Sequence, residues 1–123
     1  MRTFVAGLLL CMVGCAGVPS QAQIDEAERT NAWGPPPADH VRKAEQVIRK
    51  SLKDPDSMKQ YACSKPEKSY LVERAEWGPG TPVWRWRVLV QYNAKNSFGG
   101  YVGLRTAFVY FDNNQPVFMQ SLD

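Results

Sequence analysis

Apolar and polar residues alternate through the C-terminal half of the chain, which is typical of strands with one buried face. The clearest stretch runs from Val83 to Tyr92, with its apolar positions on one side and its arginines on the other. The apolar side consists of Trp84, Trp86, Val88, Val90 and Tyr92, and the opposite side includes Arg85, Arg87 and Gln91. We therefore predict a strand whose apolar side faces the core.

The same alternation predicts further strands over residues 70–77, 101–112 and 116–122. Asp112-Asn113-Asn114-Gln115, between the last two, is typical of a hairpin turn. The final strand opens with Pro116, which has no backbone N–H to donate. It is therefore predicted at an edge of the sheet.

One amphipathic helix is predicted before the strands, from about residue 38 to residue 53. Its apolar residues recur at steps of three and four, and they are Val41, Ala44, Val47, Ile48 and Leu52. Asp39 can act as its N-cap, and Asp54-Pro55 ends it in a short turn. Met58 and Tyr61 are then expected to fold back on the core. A helix followed by clustered strands predicts an α+β domain over residues 40–123. In that domain, the helix packs on an antiparallel sheet of about four strands.

The chain begins with Arg2 followed by an apolar segment, Thr3 to Val13. A helix of this length is too short for a bilayer core of about 30 Å and is typical of a secretory signal peptide. Met12-Val13-Gly14-Cys15 resembles the lipobox of bacterial lipoproteins. The resemblance implies removal of residues 1–14, thioether lipidation of Cys15 and acylation of the new N-terminus, for example by palmitate. A cleaved signal peptide with an incidental cysteine is the alternative.

The residues after Cys15 bear on location. In bacterial lipoproteins, Asp at the position of Ala16 often retains the protein at the inner membrane, whereas Ala permits export. For a source with two membranes, the resemblance implies an outer-membrane protein that faces the periplasm. Residues 15–39 lack an apolar rhythm and contain Gly34-Pro35-Pro36-Pro37, so a flexible, Pro-rich tether is predicted. Trp33 is expected to dock on the domain rather than rest at the membrane interface.

Charge and composition disfavour several classes of function. The net charge of +3 falls by one when Arg2 leaves, and no basic face is concentrated enough to predict a nucleic-acid partner. Cys63, predicted in a loop, is the one free thiol after signal removal and lipidation, and His40 is the one histidine. Neither a thiol–histidine enzyme nor a conventional zinc site is therefore expected. We predict a protein without enzymatic activity, cofactor or metal.

The segment between the second and third predicted strands is longer than a hairpin requires, because two residues suffice for a tight turn. It combines amide, hydroxyl, amine and aromatic side chains with two glycines, which are common in binding loops. The candidate binding residues are Asn93, Lys95, Asn96, Ser97, Phe98, Gly99, Gly100 and Tyr101. An equally coherent alternative is architectural: Phe98 and Tyr101 pack inward while Gly99-Gly100 forms a bulge.

Two motifs resemble a widespread group of small bacterial exported proteins that has no assigned activity. They are Leu52-Lys53-Asp54-Pro55-Asp56-Ser57 and Asn93-Ala94-Lys95-Asn96-Ser97-Phe98-Gly99-Gly100-Tyr101-Val102-Gly103. The similarity extends over about residues 47–117. Members of the group often carry a Cys-Gly pair just before the second motif, where this chain has Val90-Gln91. The resemblance therefore implies no redox or disulfide role at that position.

The sequence favours a non-enzymatic envelope lipoprotein that is held at the membrane by its lipid and binds a protein or a glycan. Ser97-Phe98-Gly99-Gly100-Tyr101 resembles, with different spacing, the Ser/Gly/Tyr loop with which lipoprotein lysozyme inhibitors plug an enzyme cleft. A lysozyme-inhibitor-like envelope protein is therefore one alternative, and a structural component of an envelope assembly is another. An enzyme that uses Cys63 or carboxylates from separate strands is the remaining possibility.

The lipidation site can be tested directly. Cys15→Ser removes the thiol that accepts diacylglycerol, so the variant should persist as uncleaved precursor and lose metabolic labelling by palmitate. Immunoblotting and autoradiography of whole cells measure both effects. Continued labelling of Cys15→Ser would contradict the assignment.

Overall fold

The structure is a computed structural model that describes residues 18–73, 76–77, 80–96 and 98–123. It contains two helices and a five-stranded antiparallel sheet, so the predicted α+β class is confirmed. The helices are α1 (Gln21–Thr30) and α2 (His40–Ser51), and a 3-10 turn spans Pro55–Ser57. The strands are β1 (Lys59–Cys63), β2 (Glu67–Glu73), β3 (Thr81–Asn93), β4 (Arg105–Asp112) and β5 (Gln115–Ser121). The predicted signal peptide and Cys15 lie outside the described residues.

Contacts divide the chain into two units. Among the described residues, one unit consists of residues 18–32 with the described part of 70–84, and the other of 33–69 with the described part of 85–123. The larger core and the candidate loop both belong to the second unit.

Strand β3 is the centre of the sheet. It is 13 residues long and pairs with β1, β2 and β4, while β5 follows β4 at the edge. Its predicted alternation is confirmed, because Val88 and Val90 are fully buried whereas Leu89 between them is 39% exposed. The edge position predicted for the last strand is confirmed as well.

Helix α2 covers the buried side of the second unit. It contacts β1 and β5 and contributes Ala44 and Ile48, both fully buried, to the core. The rest of the core cluster consists of Met58, Val88, Val90, Tyr92, Ala94, Ala107, Val109 and Phe111. Tyr61 packs against this cluster, and its hydroxyl donates to the Val41 carbonyl at 2.8 Å. The predicted return of Met58 and Tyr61 to the core is therefore confirmed.

The start of α2 differs from the prediction in one detail. Asp39 occupies the N-cap position, but its backbone is left-handed (φ 55°) and its side chain makes no capping hydrogen bond. The Asp39 carboxylate pairs with Arg42 instead. Asp54 likewise makes no side-chain cap for the 3-10 turn that follows.

The predicted hairpin turn before β5 is confirmed. Asn113 and Asn114 both have positive φ, at 49° and 74°, which is the requirement of a type I′ turn and suits asparagine. Asn114 also fastens the turn to α2, because its carbonyl accepts a hydrogen bond from Lys43 Nζ at 2.9 Å. Ala38 N–H donates to the Asn114 side chain at 2.6 Å.

The prediction of a flexible coil is wrong for residues 21–30, which form α1. Ser20 and Gln23 make a reciprocal capping box: Ser20 Oγ accepts from Gln23 N–H, and the Gln23 side chain accepts from Ser20 N–H. α1 lacks an apolar stripe, since Ala27 is its one buried residue, yet it contacts the sheet. Residues with high helix propensity and a capped N-terminus therefore account for α1, which has no apolar periodicity from which a helix could be predicted.

Strand β1 was missed, and Cys63 lies at its end rather than in a loop. Its pairing with β3 is irregular between Lys59 and Ala62, where Gln60 has a φ of 59°. A bulge of this kind breaks the alternation on which the prediction of strands rests. The predicted strand over 70–77 also shifts to Glu67–Glu73, and the third predicted strand begins at Arg105 instead of Tyr101.

Trp33 docks on the domain, as predicted. Its indole N–H donates to the Ser69 carbonyl at 2.8 Å. Its own carbonyl accepts from the indole N–H of Trp86 at 3.1 Å, and the Gly34 carbonyl accepts from the same group at 3.2 Å. At the start of the second unit, the indole N–H groups of Trp33 and Trp86 therefore both have hydrogen-bond acceptors.

Helices that could span a membrane were sought in the described ranges, and none is long and apolar enough.

The core assignment predicts a contrast on α2. Ile48→Ala should lower the free energy of unfolding by about 2–5 kcal/mol, because it empties a fully buried site. Val41→Ala on the same helix should cost less than about 0.5 kcal/mol, since Val41 is 46% exposed. Urea melts followed by circular dichroism measure both values. Equal losses would show that the wrong face of α2 has been assigned to the core.

Candidate functional site: the loop between β3 and β4

The candidate loop closes on a short two-stranded base. Lys95 and Tyr101 form an antiparallel bridge after β3 has ended. Ser57, in the 3-10 turn and only 7% exposed, holds both sides. Its hydroxyl accepts from Lys95 N–H at 3.0 Å, and its carbonyl accepts from the Tyr101 hydroxyl at 2.8 Å. The Ser57 hydroxyl in turn donates to the Asp54 carbonyl at 2.7 Å. The loop is therefore fixed to the turn that the first sequence motif contains.

Asn96 holds the tip of the loop. Its Oδ1 accepts from the backbone N–H groups of Phe98 and Gly100, at 2.9 and 3.1 Å. Its own N–H donates to the Gly100 carbonyl at 2.8 Å, and its carbonyl accepts from Gly99 N–H at 3.1 Å. An Asx side chain that satisfies two backbone donors is a local substitute for regular structure. The structure therefore gives Asn96 an architectural role.

The two glycines differ in conformation. Gly99 has a φ of 83°, in the left-handed region that a side chain would strain, whereas Gly100 is not among the residues with positive φ. A Cβ at Gly100 would meet only Asn96 Oδ1, at 4.0 Å. Of the two glycines, it is therefore Gly99 whose backbone conformation requires glycine.

Phe98 points away from the protein. Its side chain is 96% exposed, so the alternative in which Phe98 packs inward is wrong. Tyr101 is exposed as well, at 41%, although its hydroxyl donates to the Ser57 carbonyl, so its predicted inward packing is also wrong. Ser97 lies outside the described residues.

Two lysines flank the Tyr101 ring. Lys59 Nζ lies 3.9 Å from the ring centroid, and Lys95 Nζ lies 5.8 Å from it. These are cation–π distances, and each contact contributes about 0.5–1 kcal/mol at an exposed site. Lys59 belongs to β1 and was not among the predicted site residues, because that strand was missed. The base of the loop therefore carries two positive charges beside the Tyr101 ring.

Asn93 lies apart from the exposed surface, at the end of β3. It is 9% exposed, and its Nδ2 donates to Gln60 Oε1 at 3.2 Å across the irregular part of β1. Its Oδ1 is buried without a hydrogen-bond partner among the described residues. A missing partner of this kind costs about 1–3 kcal/mol. Burial thus removes Asn93 from the surface that a large partner could touch.

Cys63 lies in a different environment. Burial raises the pKa of its thiol, although a hydrogen bond with Tyr61 opposes the shift. Burial also raises the pKa of the Tyr61 hydroxyl, and the nearby Cys63 adds to that effect. A raised thiol pKa leaves little thiolate at neutral pH, which disfavours a nucleophilic role. Across the described ranges, no group of three or more His, Cys, Asp or Glu side chains is placed to hold a metal ion.

The fold and the loop together define an α+β domain that presents an exposed aromatic ring on a braced turn. No protein-family model matches the chain, and neither the curated proteins nor the solved structures contain a match.

The role of Asn96 can be tested by replacing its acceptor. Asn96→Ala should cost about 1 kcal/mol of stability and speed amide hydrogen exchange at Phe98 and Gly100, because both N–H groups lose their partner. Asn96→Asp keeps an oxygen at the same place and should preserve most of the protection. Hydrogen-exchange NMR measures the two amides directly. Unchanged exchange in Asn96→Ala would contradict the brace.

Proposed function

We propose that this protein is a lipid-anchored component of the bacterial envelope and a non-enzymatic binding module, whose β3–β4 loop inserts Phe98 into an apolar pocket of a protein partner. The observation that carries the proposal is the exposure of the Phe98 side chain, 96%, on a turn held by four hydrogen bonds. The lipobox at Met12-Val13-Gly14-Cys15 supports the envelope location. For a source with two membranes, Ala16 supports the outer membrane, facing the periplasm.

Covering the exposed Phe98 side chain in a complex would be favourable. Fully burying such a side chain contributes about 1.5–3 kcal/mol, which corresponds to roughly a ten- to hundredfold gain in affinity. Aromatic anchors that fill a pocket on the partner are the usual centres of binding energy in protein interfaces. Phe98 lacks the polar group through which Tyr or Trp could also bind the hydroxyls of a sugar, so a protein pocket suits it better than a glycan.

The bracing of the loop increases what Phe98 can contribute. A mobile loop loses conformational freedom when it binds, at about 0.5–1.5 kcal/mol for each immobilised side chain. Here the turn is already held by Asn96 and its base by Ser57. The loop should therefore lose little further conformational entropy when Phe98 binds a partner.

The positive charges near the loop indicate what kind of surface the partner would have. Lys59 and Lys95 both lie close to the Tyr101 ring, near the base of the loop. A pocket rimmed by carboxylates would be attracted to this arrangement, and the attraction would speed association more than it would strengthen the complex. We therefore propose a partner with an apolar pocket bordered by acidic residues.

The lysozyme-inhibitor-like alternative meets the same chemical description. A glycoside-hydrolase cleft contains a pair of Asp or Glu side chains on either side of the scissile bond. The two lysines near Tyr101, at the base of the loop that carries Phe98, would complement such a cleft. A structural role in an envelope assembly requires only that the acidic, apolar partner be another component of that assembly.

In-cell photo-crosslinking tests the proposal. A photoreactive phenylalanine analogue in place of Phe98 should give a discrete protein adduct in the full-length, lipidated chain. The same analogue in place of Val41, which is 46% exposed on α2, should not. Phe98→Ala should weaken binding of the identified partner by about ten- to hundredfold. Its free energy of unfolding should stay within about 0.5 kcal/mol of the wild type.

Charge reversal separates the lysines from the ring. Lys59→Glu with Lys95→Glu should slow association and remove its salt dependence, while thermal melting confirms that the fold persists. An adduct with lysozyme, followed by inhibition of its activity, would select the inhibitor alternative. Sedimentation with purified murein and no protein adduct at position 98 would instead select a glycan ligand. Equal adducts from positions 98 and 41 would contradict a site at the loop.

A further inference from the structure

We propose that β5 is an interface at which two copies of this chain join their sheets by antiparallel pairing of their edge strands. The proposal concerns the opposite edge of the sheet from β1 and does not depend on the β3–β4 loop. Among the strands that the structure describes, β5 pairs with β4 alone, so its other side presents unpaired backbone groups.

The edge lacks the features that normally keep edge strands apart. Charged side chains, and lysines above all, are the usual protection. No charged residue occurs between Asp112 and Asp123, and Val117 and Phe118 are each 50% exposed. Pro116 and the register shift beside it protect only the beginning of the strand. The stretch from Val117 to Ser121 remains open to another strand.

The direction of the backbone groups fixes which residues can pair. Leu122 N–H donates to the Thr106 carbonyl at 3.0 Å, so Leu122 faces β4. Antiparallel pairing alternates along a strand, which turns Gln120 and Phe118 toward β4 as well. The N–H and C=O groups of Met119 and Ser121 therefore point outward, and the alternation ends at Val117, where the register shifts. These are the groups that a second strand would bind.

A second copy of the chain would fit this edge, because Lys43 and Asp123 place opposite charges near the two ends of β5. Antiparallel self-pairing about Met119 brings the Gln115 end of one β5 beside the Asp123 end of the other, with the strands about 5 Å apart. Lys43 stands beside Gln115, since its Nζ bonds the carbonyl of Asn114. The Asp123 carboxylate accepts from Thr106 N–H of its own chain at 2.9 Å through Oδ2. In the pair, its remaining acceptor capacity would face the Lys43 ammonium of the other copy, at both ends. The uncharged stretch between them brings no like charges together.

The strength of the pairing should be modest. One strand edge with two half-exposed apolar side chains buries an area at the low end of specific interfaces. The dimer is therefore expected to form and dissociate with concentration rather than to be permanent.

Sedimentation equilibrium of the full-length chain in density-matched detergent measures this association. Over a concentration series, the protein mass should rise from one copy to two and stop there. Val117→Lys places a charge on the open edge, and Ser121→Pro removes an outward N–H that β4 does not use. Both should shift dimer formation to at least tenfold higher concentration. Val102→Lys, at a valine that is 46% exposed away from β5, should leave it unchanged. Thermal melts of each variant confirm the fold.

Charge reversal tests the symmetry of the pair. Asp123→Lys should weaken the dimer by setting two lysines together, and Asp123→Lys with Lys43→Asp should restore it. Only an interface in which these residues meet between copies predicts such a rescue. A wild-type chain that stays monomeric at all concentrations overturns the proposal. A dimer that survives both Val117→Lys and Ser121→Pro, or a double variant without rescue, overturns it as well.

Discussion

The second unit depends on burial of one face of β3. Val88 and Val90 are completely enclosed, and they receive Ile48 and Ala44 from α2. Because β3 is 13 residues long and pairs with three other strands, this one buried row fixes the register of its neighbours. A one-residue slip of β3 would bring Arg87 and Leu89 to the core and expose the valines. The loop beyond Asn93 inherits its position from that register.

The strongest periodic signals in the sequence led to correct elements, and the weak ones did not. The alternation in β3, the apolar stripe of α2 and the Asn113-Asn114 turn each act through local geometry that the residues themselves impose. α1 lacks that kind of signal, because only Ala27 is buried. Its Ser20-Gln23 capping pair was the available clue. β1 was hidden for a different reason: the left-handed Gln60 interrupts its pairing with β3, so neither period applies.

The candidate site was foreseeable in position but not in the roles of its residues. The length and composition of the loop indicated where to look. Some residues of the loop stabilise it and others are exposed to a partner. Contacts with distant parts of the chain determine which residues do which. Ser57 and Lys59 join the site through the turn after α2, and no local pattern around Asn93 to Tyr101 predicts either contact. Asn96 could be read either way from sequence, since asparagine suits both recognition and turns.

The two proposals together constrain how the protein would lie on a membrane. Strands that pair antiparallel across a dyad in one sheet have that dyad perpendicular to the sheet. For two copies anchored through Cys15 in the same leaflet, a dyad along the membrane normal would place both anchors at the same height. The sheet of the second unit would then lie parallel to the membrane.

The strand pairing also gives the position of the loop. Tyr92 pairs with Arg105 and Ala107 with Ser121, which puts the loop at the Ser121 end of β5. Antiparallel pairing would therefore carry the two loops to opposite ends of the joined sheet. Neither loop would then face the dyad. Such a pair would present two sites at one height above the membrane, and a partner with repeated pockets would bind it with avidity.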